Sequence, residues 1–300
     1  MLPTFLGIGV PKAGTTWLAL NLRAHPEVYI PEMKETKFLR FDGLDARFPD
    51  EYEAYFEDAT PGQAVGDITT TYFASEHVPR RVARFLPDVR LFVVLRNPID
   101  QLYSHYWHLE RQNFHQWHRK NQPESFEEAL ESYPDLLLKH AFYARHLERW
   151  LTHVDREQLL VLIHEELKSS PQQTLNRVFE HIGVEPGYAS EKIDAGGSSA
   201  RRGTSPRGPL AEWTHEVLYE ILNRKLYHPL KNMIGLQSAD RIKDALRVRP
   251  IMEFLFRKKG YPDMRASTRQ HLRERLQDDV RKTEELIDRD LSIWEEFSQA

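Results

Sequence analysis

The sequence predicts a single α/β domain, a central parallel β-sheet flanked by α-helices. Short apolar runs alternate along the chain with stretches whose apolar residues recur at helical spacing, which is the pattern of parallel strands joined by crossover helices. The first apolar run passes through a glycine-containing turn straight into the first helical stretch. No Gly/Ser- or Pro-rich linker divides the 300 residues, and a hydrophobic content of 40% is enough for one large core.

Taken in order, "FLGIGV" (5 to 10) reads as a buried strand and "TTWLALNLRAH" (15 to 25) as the helix that follows it. A weaker strand, "QAVGDI" (63 to 68), precedes the helical "HVPRRVARFL" (77 to 86). "LFVVL" (91 to 95) is a strand followed by "PIDQLYSHYWHLERQ" (98 to 112), with proline at the helix start. "LLLKHAFYARHLERWL" (136 to 151) reads as one helix, "LLVLI" (159 to 163) as a strand and "PQQTLNRVFEHIG" (171 to 183) as a helix. The Gly/Ser/Arg-rich "DAGGSSARRGTSPRGP" (194 to 209) reads as a loop, and residues 210 to 228 and 268 to 298 as helical, the last with a charged, solvated face. In such sheets ligands bind at the carboxyl ends of the strands.

Composition narrows the function. With zero cysteines, disulfides, cysteine zinc sites and thiol nucleophiles are excluded together, and a reducing, cytoplasmic compartment is the expectation. The start "MLPTFLGIGV" lacks the basic and long apolar segments of a secretion signal, and no apolar run is long enough to span a bilayer, so no transmembrane segment is expected. A net charge of -4 argues against nucleic acid as a partner.

The stretch "GIGVPKAGTTW" (7 to 17) approximates the phosphate loop G-x-x-x-x-G-K-[ST] but places Thr15 where the lysine belongs. Gly9 and Gly14 keep the frame, Thr16 holds the hydroxyl position, and Lys12 lies inside the loop. A strand, a glycine turn and a helix amino terminus present free amides to an anion, so the sheet is expected to be P-loop-like. The strand "LFVVL" ends in Arg96 rather than a magnesium-holding aspartate. A second cation at a strand end suits a second anionic group, and two such sites point to a nucleotide phosphorylated at two separate positions. A glycine turn serving only strand-to-helix packing is the simpler alternative, and Arg96 weighs against it.

These motifs resemble those of sulfotransferases that use 3′-phosphoadenosine 5′-phosphosulfate (PAPS), nearer the carbohydrate-type branch and its bacterial members than the phenol/steroid branch. "PKAGTTWL" is similar to the family's 5′-phosphosulfate loop, and "LRNPIDQLYSHY" to its 3′-phosphate segment, with Arg96 and Ser104 at the family's spacing. "HEELKSSPQQTLNRVFEHIGV" and "DDVRKTEELIDRDLSIW" extend the resemblance over most of the chain. The resemblance implies a PAPS-binding set of Lys12, Ala13, Gly14, Thr15, Thr16 and Trp17 in the loop, and Arg96 and Ser104 beyond it. Arg201, Arg202 and Gly203 resemble a late phosphate loop within 196 to 209, and residues 210 to 269 are expected to form a helical lid or acceptor region.

The resemblance further implies transfer of a sulfuryl group to a hydroxyl of a small metabolite or glycan, with adenosine 3′,5′-bisphosphate as product and no metal. Lys12 would stabilise the leaving phosphate. "PEMKETKFLRF" (31 to 41) resembles the family's KE-x-x-F stretch, which makes Glu35 the expected base. Asp67 follows a strand and is an alternative base or a partner for Lys12; the family's lysine after it is Ile68 here. His105, His108, His115 and His118 read better as part of an aromatic helix than as metal ligands, with His108 or His115 near the acceptor. The basic, aromatic stretch 241 to 269 is either a lid or a packing helix with snorkelling cations. Two other classes compete: a small-molecule P-loop kinase, which would want an intact GKT and an aspartate for magnesium, and a non-catalytic nucleotide-binding domain.

Overall fold

A computed structural model describes residues 1–111, 123–188, 204–206 and 257–298. Five strands form one parallel sheet: β1 (Phe5–Gly9), β2 (Val28–Tyr29), β3 (Ala64–Ile68), β4 (Arg90–Leu95) and β5 (Leu159–Ile163), in the order β2-β3-β1-β4-β5. The register pairs Phe5 with Gly66 on one side and with Arg90 on the other, and Leu91 with Leu159. Strand β1 is therefore central. The chain moves from β1 outward to β2, returns through β3, and crosses to β4, so the strand order reverses around β1 and its carboxyl end opens the crevice where ligands bind.

The strands are apolar because both faces are covered. All five residues of β1 and of β3 are buried, as are Leu91–Leu95 of β4. Covering them are α1 (Thr15–Arg23), α3 (Val78–Phe85), α4 (Pro98–Arg111), α8 (His164–Ser169) and α9 (Pro171–Ile182). Short helices α2 (Asp50–Glu53), α5 (Phe126–Ser132) and α6 (Pro134–Leu138) lie between them, with α7 (Tyr143–Leu151) before β5 and α10 (Ala266–Ile287) near the end. Among the described residues, no helix is long and apolar enough to cross a membrane.

The chain divides into two compact units. The first comprises Met1–Tyr106, Arg119–Arg201 and Met264–Ala300 and holds the sheet. The second comprises Trp107–His118 and Arg202–Asp263. Its described part includes β6 (Thr204–Pro206) paired antiparallel with β7 (Arg257–Lys259), and a stacked pair, Trp107 and Tyr261, with ring centroids 5.6 Å apart.

Three local expectations differ from what is observed. The helix expected over 136 to 151 is two, α6 and α7, because the new helix starts where Asp279 Oδ2 of α10 accepts the Ala144 amide at 3.1 Å. That cap comes from far along the chain. The helix expected over 268 to 298 stops at Ile287, where Asp288 turns left-handed at φ 51°. The tail then packs down: Arg289 engages Glu166, and buried Trp294 donates its indole N–H to Glu165 Oε2 at 3.1 Å. Thr204–Pro206, expected as loop, is a strand only because Arg257–Lys259 pairs with it.

Candidate functional site

The loop between β1 and α1 is shaped by what holds its carbonyls. Gln101 Nε2 on α4 donates to Pro11 O at 3.0 Å, Arg96 Nη1 donates to Lys12 O at 3.1 Å, and the His164 Nδ1 contact with Ala13 O is 3.0 Å. A carbonyl can only accept, so His164 carries its proton on Nδ1. Three consecutive carbonyls are thus tied down by side chains from three different places. They hold Lys12 at φ 70°, a conformation that costs a non-glycine residue about 1–3 kcal/mol.

The amides behave in the opposite way. Leu18 N is the first to make a helical bond, to Gly14 O at 3.1 Å, and α1 has no side-chain cap. The amides of Gly14, Thr15, Thr16 and Trp17 find no acceptor among the described residues. Gly14 itself has φ 90°, and a Cβ there would lie 3.0 Å from His164 Nδ1, so both conformation and space demand glycine. The outcome is a helix amino terminus with four open donors, a ready anion site.

Around this loop stand the residues that follow the other strands. Arg96 directly follows β4; its side chain is 21% exposed, and its backbone carbonyl accepts from Tyr143 OH at 2.8 Å. Arg96 Nη2 lies 4.0 Å from Asp100 Oδ2, while Arg269 Nη2 engages Asp100 Oδ1 at 2.7 Å, so this carboxylate is shared between two guanidinium groups. Asn97 caps α4 by accepting the Ile99 amide at 3.0 Å. Ser104 lies two turns into that helix and is buried.

The segment 31 to 38 runs beside the loop. Ile68 N donates to Lys34 O at 3.1 Å, fixing the segment to the end of β3. Lys34 Nζ is 3.1 Å from Glu35 Oε1 and donates to Thr15 Oγ1 at 3.3 Å, while Thr70 Oγ1 donates to Glu35 Oε1 at 3.1 Å. Glu35 is half-buried and adjoins the loop through Lys34.

Asp67 is placed differently from expectation. It is fully buried, and its oxygens accept from the Thr36, Thr69, Tyr52 and Tyr72 hydroxyls at 2.6, 2.7, 2.9 and 2.8 Å. Lys12 is not among its partners. Burial pushes its carboxyl up against the pull of these hydrogen bonds. These bonds tie Asp67 to Thr36, the residue next to Glu35. Arg201, Arg202 and Gly203, with His115 and His118, lie outside the described residues.

Thr70, Gln101, His164 and Lys34 belong to the site without having been singled out from sequence. His164 directly follows β5, as Arg96 follows β4, so the same strand-end rule points to it. Burial, then the charges of Arg96 and Lys168, push it down to about 3. Burial and the Lys12 charge bring His105 to about 4, and burial does the same for His146. These imidazoles ordinarily titrate near 6.5. Between 6.5 and 3 these imidazoles therefore bind more protons in the unfolded chain than in the folded one. Their contribution is complete above that window and is lost as pH falls through it. The thermal midpoint is expected to drop between about pH 7 and pH 4.5; a flat midpoint in calorimetry would contradict the neutral buried imidazoles.

Comparison with known proteins fits this geometry. A family model described as "Sulfotransferase domain" matches residues 2–195. The chain is 32% identical over 200 residues to the mouse bifunctional heparan sulfate N-deacetylase/N-sulfotransferase 4, covering 62% of this chain and 23% of that protein. It is 31% identical over 199 residues to the human enzyme 2 of the same name, covering 62% and 22%. The chain thus spans less than a quarter of the length of these curated relatives. A sulfotransferase from Alicyclobacillus acidocaldarius shares the fold, with a TM-score of 0.67 at 22% identity over 98% of this chain and 99% of that one. The phosphate loop and the strand ends that surround it lie within the matched span, and the chain belongs to the sulfotransferase family.

Proposed function

We propose that this protein moves a sulfuryl group from PAPS to a hydroxyl of a small metabolite or glycan. The observation that carries the reading is the row of four open amides, Gly14 to Trp17, flanked by Lys12 and faced by Arg96. The amides suit the 5′-phosphosulfate, with Thr15 and Thr16 adding neutral hydrogen bonds. Arg96 and Ser104 suit the 3′-phosphate, which is the group that distinguishes PAPS from ATP. Arg201, Arg202 and Gly203 remain part of the proposed 3′-phosphate set. A glycan acceptor accords with the heparan sulfate named for the relatives.

In the proposed step the acceptor oxygen bonds to sulfur as the bridging S–O bond breaks. The electron pair of that bond stays on the 5′-phosphate, where the Lys12 ammonium and the loop amides stabilise it. The acceptor proton moves to Glu35. Since Oε1 already takes donors from Lys34 and Thr70, the receiving oxygen is Oε2.

Glu35→Gln removes the base but keeps size and one acceptor oxygen. Transfer of labelled sulfate from PAPS across a panel of hydroxyl-bearing metabolites and glycans is expected to slow by about 10²- to 10⁴-fold in this variant, with affinity for adenosine 3′,5′-bisphosphate retained. Unchanged transfer would remove Glu35 from the mechanism, and no transfer by the unaltered protein to any hydroxyl would overturn the reading itself.

A further inference from the structure

The open amides and the proposed base lie on separate segments, and one side chain joins them. Lys34 Nζ contacts both Glu35 Oε1 and Thr15 Oγ1, at 3.1 and 3.3 Å. Its stem is largely covered, with the side chain 17% exposed, so the ammonium has little freedom to swing into water. The backbone is equally constrained: its carbonyl is held by Ile68 N, and two residues on, Thr36 is held by Asp67.

The direction of these bonds matters. An ammonium only donates, so Thr15 Oγ1 accepts from Lys34 and its own proton is free to point at an anion in the loop. A hydroxyl that accepts from a cation is also a stronger donor onward. On the other side, Lys34 and Thr70 both act on Glu35 Oε1 and leave Oε2 as the oxygen with no donor among the described residues. One cation therefore acts on the donor side through Thr15 and on the acceptor side through Glu35.

We propose that Lys34 is a positioning residue that couples the two sides, holding the proton-accepting oxygen of Glu35 in register with the sulfuryl group bound at the loop. This rests on the sulfuryl-transfer reading above. Lys34 neither makes nor breaks a bond in the step: the acceptor O–S bond forms as the bridging S–O bond breaks with its electron pair left on the 5′-phosphate, the proton goes to Glu35 Oε2, and the ammonium fixes the separation across which that happens. Methionine at this position fills the same channel without donors, glutamine keeps a neutral donor, and arginine keeps the charge.

The test uses the full chain and water as the acceptor, reading inorganic sulfate released from labelled PAPS, beside calorimetric binding of adenosine 3′,5′-bisphosphate. Lys34→Met is expected to lower the rate about 10- to 100-fold while the dissociation constant changes less than about threefold. Lys34→Gln, a second variant should the first fail to fold, is expected to fall between, and Lys34→Arg to recover part of the loss. Because Lys34 works through Glu35, the double variant Lys34→Met/Glu35→Gln is expected to be no slower than Glu35→Gln alone. Losses that multiply in the double variant, or Lys34→Met at the unaltered rate, would overturn the coupling while leaving the base in place. A fully active Glu35→Gln would instead remove the base assignment and the coupling with it.

Discussion

Lys12→Ala is expected to lower kcat for sulfuryl transfer by about 10²- to 10³-fold, the loss that follows removal of one donor aimed at developing charge. Lys12 sits in the loop at φ 70°, and alanine has the same Cβ, so the substitution leaves the backbone cost unaltered and removes only the ammonium. The carbonyl of residue 12 would still receive Arg96, and the four open amides would still face the anion. Ground-state affinity should therefore suffer less than turnover, with adenosine 3′,5′-bisphosphate binding weakened by less than about tenfold. Single-turnover transfer from PAPS beside calorimetry separates the two. Near-normal turnover would take the leaving-group role away from Lys12.

Arg96→Ala is expected to show the reverse, weakening adenosine 3′,5′-bisphosphate binding about 10- to 100-fold, which is the worth of a charge-assisted hydrogen bond to phosphate. Two losses combine in it. The cation proposed for the 3′-phosphate disappears, and Lys12 O loses the donor that braces the left-handed loop. Asp100 lies 4.0 Å from this arginine and is shared with Arg269 at 2.7 Å. Arg96→Lys should recover only part, since a point charge cannot reach the carbonyl and a phosphate with the same fork. Comparison with adenosine 5′-phosphate isolates the 3′-phosphate: the preference for the bisphosphate over the monophosphate should shrink in Arg96→Ala by about the same factor. An unchanged dissociation constant would move the 3′-phosphate site elsewhere.

The sheet was legible because its strands are short apolar runs between helical patterns, and four of the five stand where the pattern puts them. Strand β2 escaped: two residues, Val28–Tyr29, carry no periodicity. The loop that carries Lys12 and Gly14, and the place of Arg96 just after β4, were legible because a glycine turn between strand and helix is a local motif and a residue after a strand is countable from it. What was not legible depends on contacts between distant residues. The break before α7 is set by Asp279, and the pairing of β6 by Arg257–Lys259. Asp67 has the right type and place for a base, and its enclosure by Thr36, Tyr52, Thr69 and Tyr72 comes from residues that no local pattern brings together. His164 stands at a strand end that the pattern marks, whereas Gln101 and Thr70 act through single hydrogen bonds to the loop or to Glu35, which no spacing announces.

The central claim is that this loop and Arg96 together grip a nucleotide phosphorylated at two separate positions. A calorimetric titration of the full chain with adenosine 3′,5′-bisphosphate in excess chelator, beside one with ATP and magnesium, tests it most directly. The account predicts a dissociation constant in the micromolar range or tighter for the bisphosphate, about -8 kcal/mol or more, and much weaker binding of ATP. Preference for magnesium ATP, or equal binding of adenosine 5′-phosphate and the bisphosphate, would contradict it.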